Sequence, residues 1–227
     1  MFRFKELIEL WRSDNLLTQA LSDSHEMLKS TREMFRESVK SLRESDEGEM
    51  GINVYEKDQM VNEYERKVRR KVLKHLVITG GANIIPGLIL TTIIVDIERI
   101  GDYTKNIMDL AVAHPKRLNA AGHEEQIQKI ETSVMELFER GIPAFETSDR
   151  SVARQLFHGH MWMTKACDEI LDGLIREKEP SLSAGDAVSA AMYTRYLKRI
   201  TAHILNIMTS VINPFERISF REDEDFE

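Results

Sequence analysis

The stretch ANIIPGLILTTIIVDIERIGDYTKNIMDLAV (residues 82–112) decides the fold class. Ile94, Ile97, Ile100 and Ile107 recur at helical spacing, and the segment is apolar almost all round, as a helix buried in a protein core is. Its first part, 82–95, is the most apolar run of the chain. At about 14 residues, interrupted by Asn83, Pro86 and two threonines, it falls short of the roughly 20 needed to span a bilayer. Pro86 lies in the first turn or two, where its missing N–H costs little. Gly101 sits mid-helix, where glycine costs about 1 kcal/mol against alanine; the close approach of another helix, or of a ligand, would account for it.

Outward from this segment the pattern repeats. On its N-terminal side, Leu17, Leu21, Met27, Leu28, Met34, Phe35, Val39 and Leu42 mark a helix over 14–44. SDEGEMG is a turn, and 52–78 is a second helix, dense in Arg and Lys on its outer face, stopped by Thr79-Gly80-Gly81. On the C-terminal side, His114-Pro115 ends the long helix. KRLNAAGH reads as a linker, and 124–145 as a fourth helix that Gly141 and Pro143 kink or end early. Ser148-Asp149 caps a fifth helix to about residue 179, and 186–212 is a sixth, closed by Asn213-Pro214. No segment alternates with period two. The expected fold is therefore all-α: two tandem three-helix bundles, 1–113 and 124–213, joined by a linker at 114–123 and followed by an acidic tail at 214–227.

The 227 residues carry a net charge of −7, with 42% apolar and 30% charged residues, a globular balance. Five acids lie within the last six residues, so the body is nearly neutral and offers no basic excess for nucleic acid. That end reads as solvated. The single cysteine, Cys167, excludes an internal disulfide and Cys-rich zinc patterns, and fits a reducing compartment. MFRFKELIELWRSD carries charges through its apolar positions, unlike a signal peptide; Phe2, Phe4 and Trp11 in it serve either as a packed extension or as a dimer contact.

The chemistry-bearing feature is acidic. Glu98 and Asp102, four apart, lie within about 40° of each other on one helix face, which Asn106 and Asp109 continue. The preceding helix offers Asp58, Asn62 and Glu65 at i, i+4 and i+7. If the two helices pack antiparallel with these rows facing, the carboxylates cannot all stay ionised in a dry gap, and a cation between them resolves the repulsion. The competing reading is a solvated face on which the acids pair with Arg66, Arg69 or Arg99.

At these residues the chain resembles a known family. IERIGDYTKNI (97–107) is similar to the ERIGD signature of the PhoU regulators of phosphate uptake, and DQMVNEYERKV (58–68) to the helix before it. The resemblance implies two three-helix bundles. It also implies a cytoplasmic, dimeric adaptor that contacts a phosphate transporter component and a sensor kinase, and is peripheral to the membrane only through that transporter. It further implies metal ions, singly or as a multinuclear centre, of iron, zinc or magnesium type, on Asp58, Asn62, Glu65, Glu98 and Asp102. An ATP-driven and a sodium-coupled transporter both remain open.

The second repeat departs from the signature. YLKRITAHILNI keeps Arg199, Ile200 and Asn206, with His203 a family variant, but Lys198 and Ala202 replace the carboxylates. His160, Thr164 and Cys167 stand where Asp58, Asn62 and Glu65 do, so no carboxylate site is expected there. A soft site from His158, His160, His203 and Cys167 is weakened by the i, i+2 spacing of the first two; hydrogen-bonded histidines and a core cysteine are the plainer reading. No G-x-S-x-G, P-loop or dinucleotide loop is present, and the acidic rows lack the Glu-x-x-His pairs of di-iron enzymes, so no catalytic residue is assigned. A ferritin-like metal enzyme and a plain, metal-free helical scaffold are the alternatives.

Overall fold

The computed structural model describes residues 15–46, 48–114 and 116–220. Phe2, Phe4, Trp11, Pro115 and the acids of the extreme C-terminus lie outside the described residues. All regular structure in the described residues is helical: α1 (Leu16–Glu44), α2 (Val54–Ile78), α3 (Ile84–Ala113), α4 (Glu124–Thr147), α5 (Arg150–His160), α6 (Trp162–Ile175) and α7 (Ala184–Ile212). Short 3-10 turns add Ala121–His123 and Phe215–Arg217. α5 and α6 together fill the fifth of six helix positions.

Four of the seven helices, α1, α2, α5 and α7, begin where a side chain caps their free N–H groups. Asn15 accepts from Leu17 and Thr18, Asn53 from Glu56, Asp149 from Ser151 and Val152, and Ser183 from Asp186. Gly80 and Gly81 follow α2 with φ of +63° and +86°, a left-handed turn open to glycine.

Three differences from the sequence reading have local causes. α4 runs through Pro143 to Thr147, because Ile142, Ala144 and Phe145 are buried and their packing outweighs the single lost hydrogen bond. The fifth helix is interrupted at Met161, after His160 turns its Nδ1 onto the Leu156 carbonyl (2.8 Å) and competes for that helical acceptor; it ends at Ile175 rather than near residue 179. Residues 214–220, read as part of a solvated tail, fold back instead: Asn213 Nδ2 donates to the carbonyls of Arg217 (2.9 Å) and Phe220 (2.8 Å), and Ile218 is buried.

α1, α2 and α3 pack on one another. α7 is the centre of the second half and touches α4, α5 and α6. The halves meet along α3 and α7, and also where α1 crosses α4, with the Phe35 and Phe138 rings 5.6 Å apart. The linker is docked: Leu118 is buried, its N–H donates to the Leu42 carbonyl (2.9 Å), and its own carbonyl accepts from Arg43. Among the described residues no helix is long and apolar enough to cross a membrane.

α3 is not buried all round. Ile84, Leu88, Val95, Arg99 and Asp109 form an exposed stripe, because the helix has packed neighbours on two sides rather than on every side.

Candidate functional site

The acidic residues of α2 and α3 do meet in a row along the α2–α3 seam. α2 descends from Tyr55 as α3 rises towards Asp109, and Tyr55 donates to Asp109 (2.8 Å) at one end. Lys105 Nζ joins Asp58 Oδ2 (2.9 Å) to Asp102 Oδ1 (3.3 Å), and Asn62 donates to Asp58 (3.4 Å). Arg99 holds Asp102 (2.9 Å) and Glu98 (3.4 Å), while Glu65 pairs with Arg69 (2.7 Å). Asp58 is buried and the Glu98 side chain only 15% exposed.

These contacts leave unequal charge balance. Burial lifts the Glu98 carboxyl above its usual range; Asp102 and Glu65 push it the same way, and Arg99 opposes them only in part. Burial works against the Lys105 ammonium, but its bonds to Asp58 and Asp102 outweigh that and hold it above its usual range. The donors are carboxylate and amide oxygens, the set that hard cations take. In the geometry seen, the lysine and arginine occupy the cationic role, and among the described residues no three acids or histidines converge as a metal cage would.

The helix packing explains why the row sits here. An added Cβ at Gly101 would lie 3.3 Å from Val61 Cγ1 and 3.6 Å from Thr31 Cγ2. The absent side chain therefore lets α3 lie tight on α2 and α1, one residue from Asp102. Of the two explanations for this glycine, helix approach is the one seen.

The second half has no such row. Lys198, in the place of Glu98, pairs with Asp168 (2.5 Å). His160 is buried and bonded to the Leu156 carbonyl, and His158 is exposed beside Phe157. Burial pushes the Cys167 thiol up to about 12, so no thiolate is on hand. His203 is drawn away to α3: its Nδ1 meets Asp96 Oδ1 (2.7 Å) and its Nε2 meets Arg199 (3.3 Å).

That contact belongs to a polar cluster absent from the sequence reading. Asn206 also donates to Asp96 (3.2 Å), Tyr103 stacks on the His203 ring (5.8 Å between centroids), and Arg199 Nε donates to the Tyr103 hydroxyl (3.1 Å). A second such cluster sits where α1 meets the other half: Arg43 reaches Glu131 (2.8 Å) and Glu124, and buried Tyr193 donates to Glu131 (2.8 Å).

Comparison with known proteins bears on the first bundle and on the fold. A family model described as the PhoU domain matches residues 25–111. No curated protein matches the chain. Among solved structures, PhoU from Pseudomonas aeruginosa superposes with a TM-score of 0.75 at 18% identity, covering 86% of this chain and 95% of that one. The phosphate transport system regulatory protein PhoU from Streptococcus pneumoniae gives 0.74 at 16% identity, covering 86% and 92%. Residues 25–111 thus match the PhoU domain, and the chain shares the fold of the two PhoU structures over 86% of its length.

Proposed function

We propose that the chain is a cytoplasmic regulator of phosphate uptake. It acts as a homodimeric adaptor, rather than as an enzyme, between a phosphate transporter component and its signalling kinase. The observation that carries this reading is the acidic row of the matched domain, Asp58, Glu65, Glu98 and Asp102 with Asn62, lined up along one seam with Glu98 short of counter-charge. The match of residues 25–111 to the PhoU domain and the shared fold support the regulator over a catalyst.

The row would hold one or more metal cations of the oxygen-seeking kind. The donor set fits, and so does the raised Glu98 carboxyl, which a nearby cation would bring back to the ionised form. When bound, the metal supplies concentrated positive charge at a surface that partners reach. Asp58 and Asp102 orient the row, Asn62 steadies Asp58, and Lys105 and Arg99 neutralise the carboxylates until a cation takes their place.

Elemental analysis of the purified protein tests this. Glu98→Ala with Asp102→Ala removes the bound metal and leaves the helical circular dichroism at wild-type level. Lys198→Ala and His160→Ala leave the metal content unchanged. Equal metal content in wild type and in the Glu98/Asp102 variant would sink the assignment. Loss of metal from the Lys198 or His160 variant would place the site in the wrong half.

A further inference from the structure

The second half of α2 and the turn after it carry a feature that the acidic row does not use. In RKVRRKVLKHLVITGG (66–81), six of the chain's 31 Lys and Arg fall between residues 66 and 74, with no acid among them, in a chain of net charge −7. Half of these cations have partners: Arg69 binds Glu65 (2.7 Å), Lys71 binds Asp23 (2.7 Å) and Lys67 lies 3.8 Å from Glu63. Arg66, Arg70 and Lys74 are exposed and make no ion pair among the described residues. They are four apart, so they stack along one stripe of the helix.

Beside the stripe stand aliphatic side chains without cover. Leu73, Val77 and Ile78 are 65%, 73% and 67% exposed, and across the turn Ile84 and Leu88 of α3 are 52% and 39% exposed. From residue 79 to 95 there is no ionisable side chain. Space around Gly80 and Gly81 is open: among the described residues nothing lies within 4 Å of a Cβ placed at either. Among the described residues Asp23 is held by Lys71, and Glu65 by Arg69 on the side away from the tip.

We infer that the α2–α3 hairpin tip is a docking surface for an anionic phospholipid bilayer. The dimensions suit it. At 1.5 Å per residue, Lys74 lies about 6 Å and Arg70 about 12 Å behind Ile78 along α2. An apolar face that sinks about 5–10 Å into the headgroup boundary would bury Val77, Ile78, Ile84 and the intervening turn. Lys74 and Arg70 would then meet the lipid phosphates, their aliphatic stems running alongside, while Arg66, about 18 Å behind Ile78, would add attraction at longer range. Among the described residues no helix is long and apolar enough to cross a membrane, so the docking inferred is onto the surface. A protein partner is the weaker fit, because the tip is convex and offers a rigid partner only its end, whereas a fluid surface conforms to it. The inference stands apart from the regulator reading: it uses none of the acidic row, and either can fail without the other.

The test is co-sedimentation of the full chain with vesicles of phosphatidylcholine alone or with about one third phosphatidylglycerol. Binding to the anionic vesicles, absent on neutral ones and falling as salt rises, is the expected result. Arg66→Glu/Arg70→Glu/Lys74→Glu should weaken it by at least about a hundredfold, taking about fivefold per cation lost. Val77→Ser/Ile78→Ser should weaken it by at least tenfold while keeping the salt dependence. The control Lys116→Glu/Lys165→Glu/Lys178→Glu makes the same change in net charge at exposed sites elsewhere and should bind as wild type. Circular dichroism of each variant reports folding. Equal binding to both vesicle types overturns the inference. So does binding retained by the Arg66/Arg70/Lys74 variant, which would move the lipid contact elsewhere in the chain, residues 1–14 included. A wild-type dimer in solution that the Val77/Ile78 variant splits, without vesicle binding, would make the tip a self-association surface and overturn it as well.

Discussion

Asp96 and Glu98 are two residues apart on one helix and serve opposite sides of it. Successive helical residues turn by 100°, so these two point about 160° apart. Glu98 faces the α2 seam, and Asp96 faces α7, where His203 and Asn206 bind it. The Glu98 side was legible from sequence because its partners lie on the adjacent helix at matching spacing. The Asp96 side was not: its partner is 107 residues away, and nothing local says which helix will cover that face. The signal available was the angle itself, an acid on the apolar side of its helix.

His25 gives a pH prediction at this scale. It is buried against the Phe145 ring (4.9 Å), and burial lowers its pKa to about 4, with Lys29 adding to the fall and Glu146 and Glu26 opposing it. The unfolded chain takes up this proton near 6.5, so between about 6.5 and 4 the unfolded state binds more protons and the fold loses stability as pH drops. The full loss is on the order of 3 kcal/mol. His25→Gln should have a shallower fall in melting temperature over that window than wild type. Identical slopes would show that His25 does not drive it.

Among the elements, α3 shows how a residue that weakens a helix on its own can be required by the packing. Its glycine at 101 gives up helix propensity and gains contact with Val61 and Thr31. Gly101→Val would force a branched side chain into a gap that already leaves only 3.3 Å to a first carbon. Overpacking of this kind costs about 1–3 kcal/mol, and β-branching within a helix adds to it. Urea unfolding measures the loss; a variant as stable as wild type would mean that α2 and α3 can part at no cost. Helix positions were readable because the apolar period is near 3.6 and the caps are Asn, Asp and Ser. The break at Met161 was not, because it depends on where the His160 ring turns, and neither was the passage through Pro143, because burial of the residues beside it decides the outcome.

Over the whole molecule, α3 and α7 join the two halves through a polar cluster in otherwise apolar packing. Asp96 and His203 are both buried, so removing either costs the other its shortest contact and leaves Asn206 on Asp96 or Arg199 on His203. Asp96→Ala and His203→Ala should each cost about 3 kcal/mol in chemical denaturation. The double variant should cost clearly less than the sum, because the second change removes a group that has already lost its main contact. Strict additivity would show that the pair does not act as a unit. The arrangement of two three-helix halves followed from element order in the sequence. The faces by which they join did not, since α3 had apolar residues on several sides and its partner helix could not be chosen from pattern alone.

The dependence of α3 on α7 bears on how the matched domain can be handled by itself. Cutting the chain after α3 would keep every residue of the matched segment, yet strip α3 of α7 along the shared face and leave the Asp96 carboxylate facing solvent beside bare isoleucines. Such a fragment should precipitate or pair with itself through the bared face, whereas a chain that keeps α7 should stay in solution; sedimentation of the two side by side checks this.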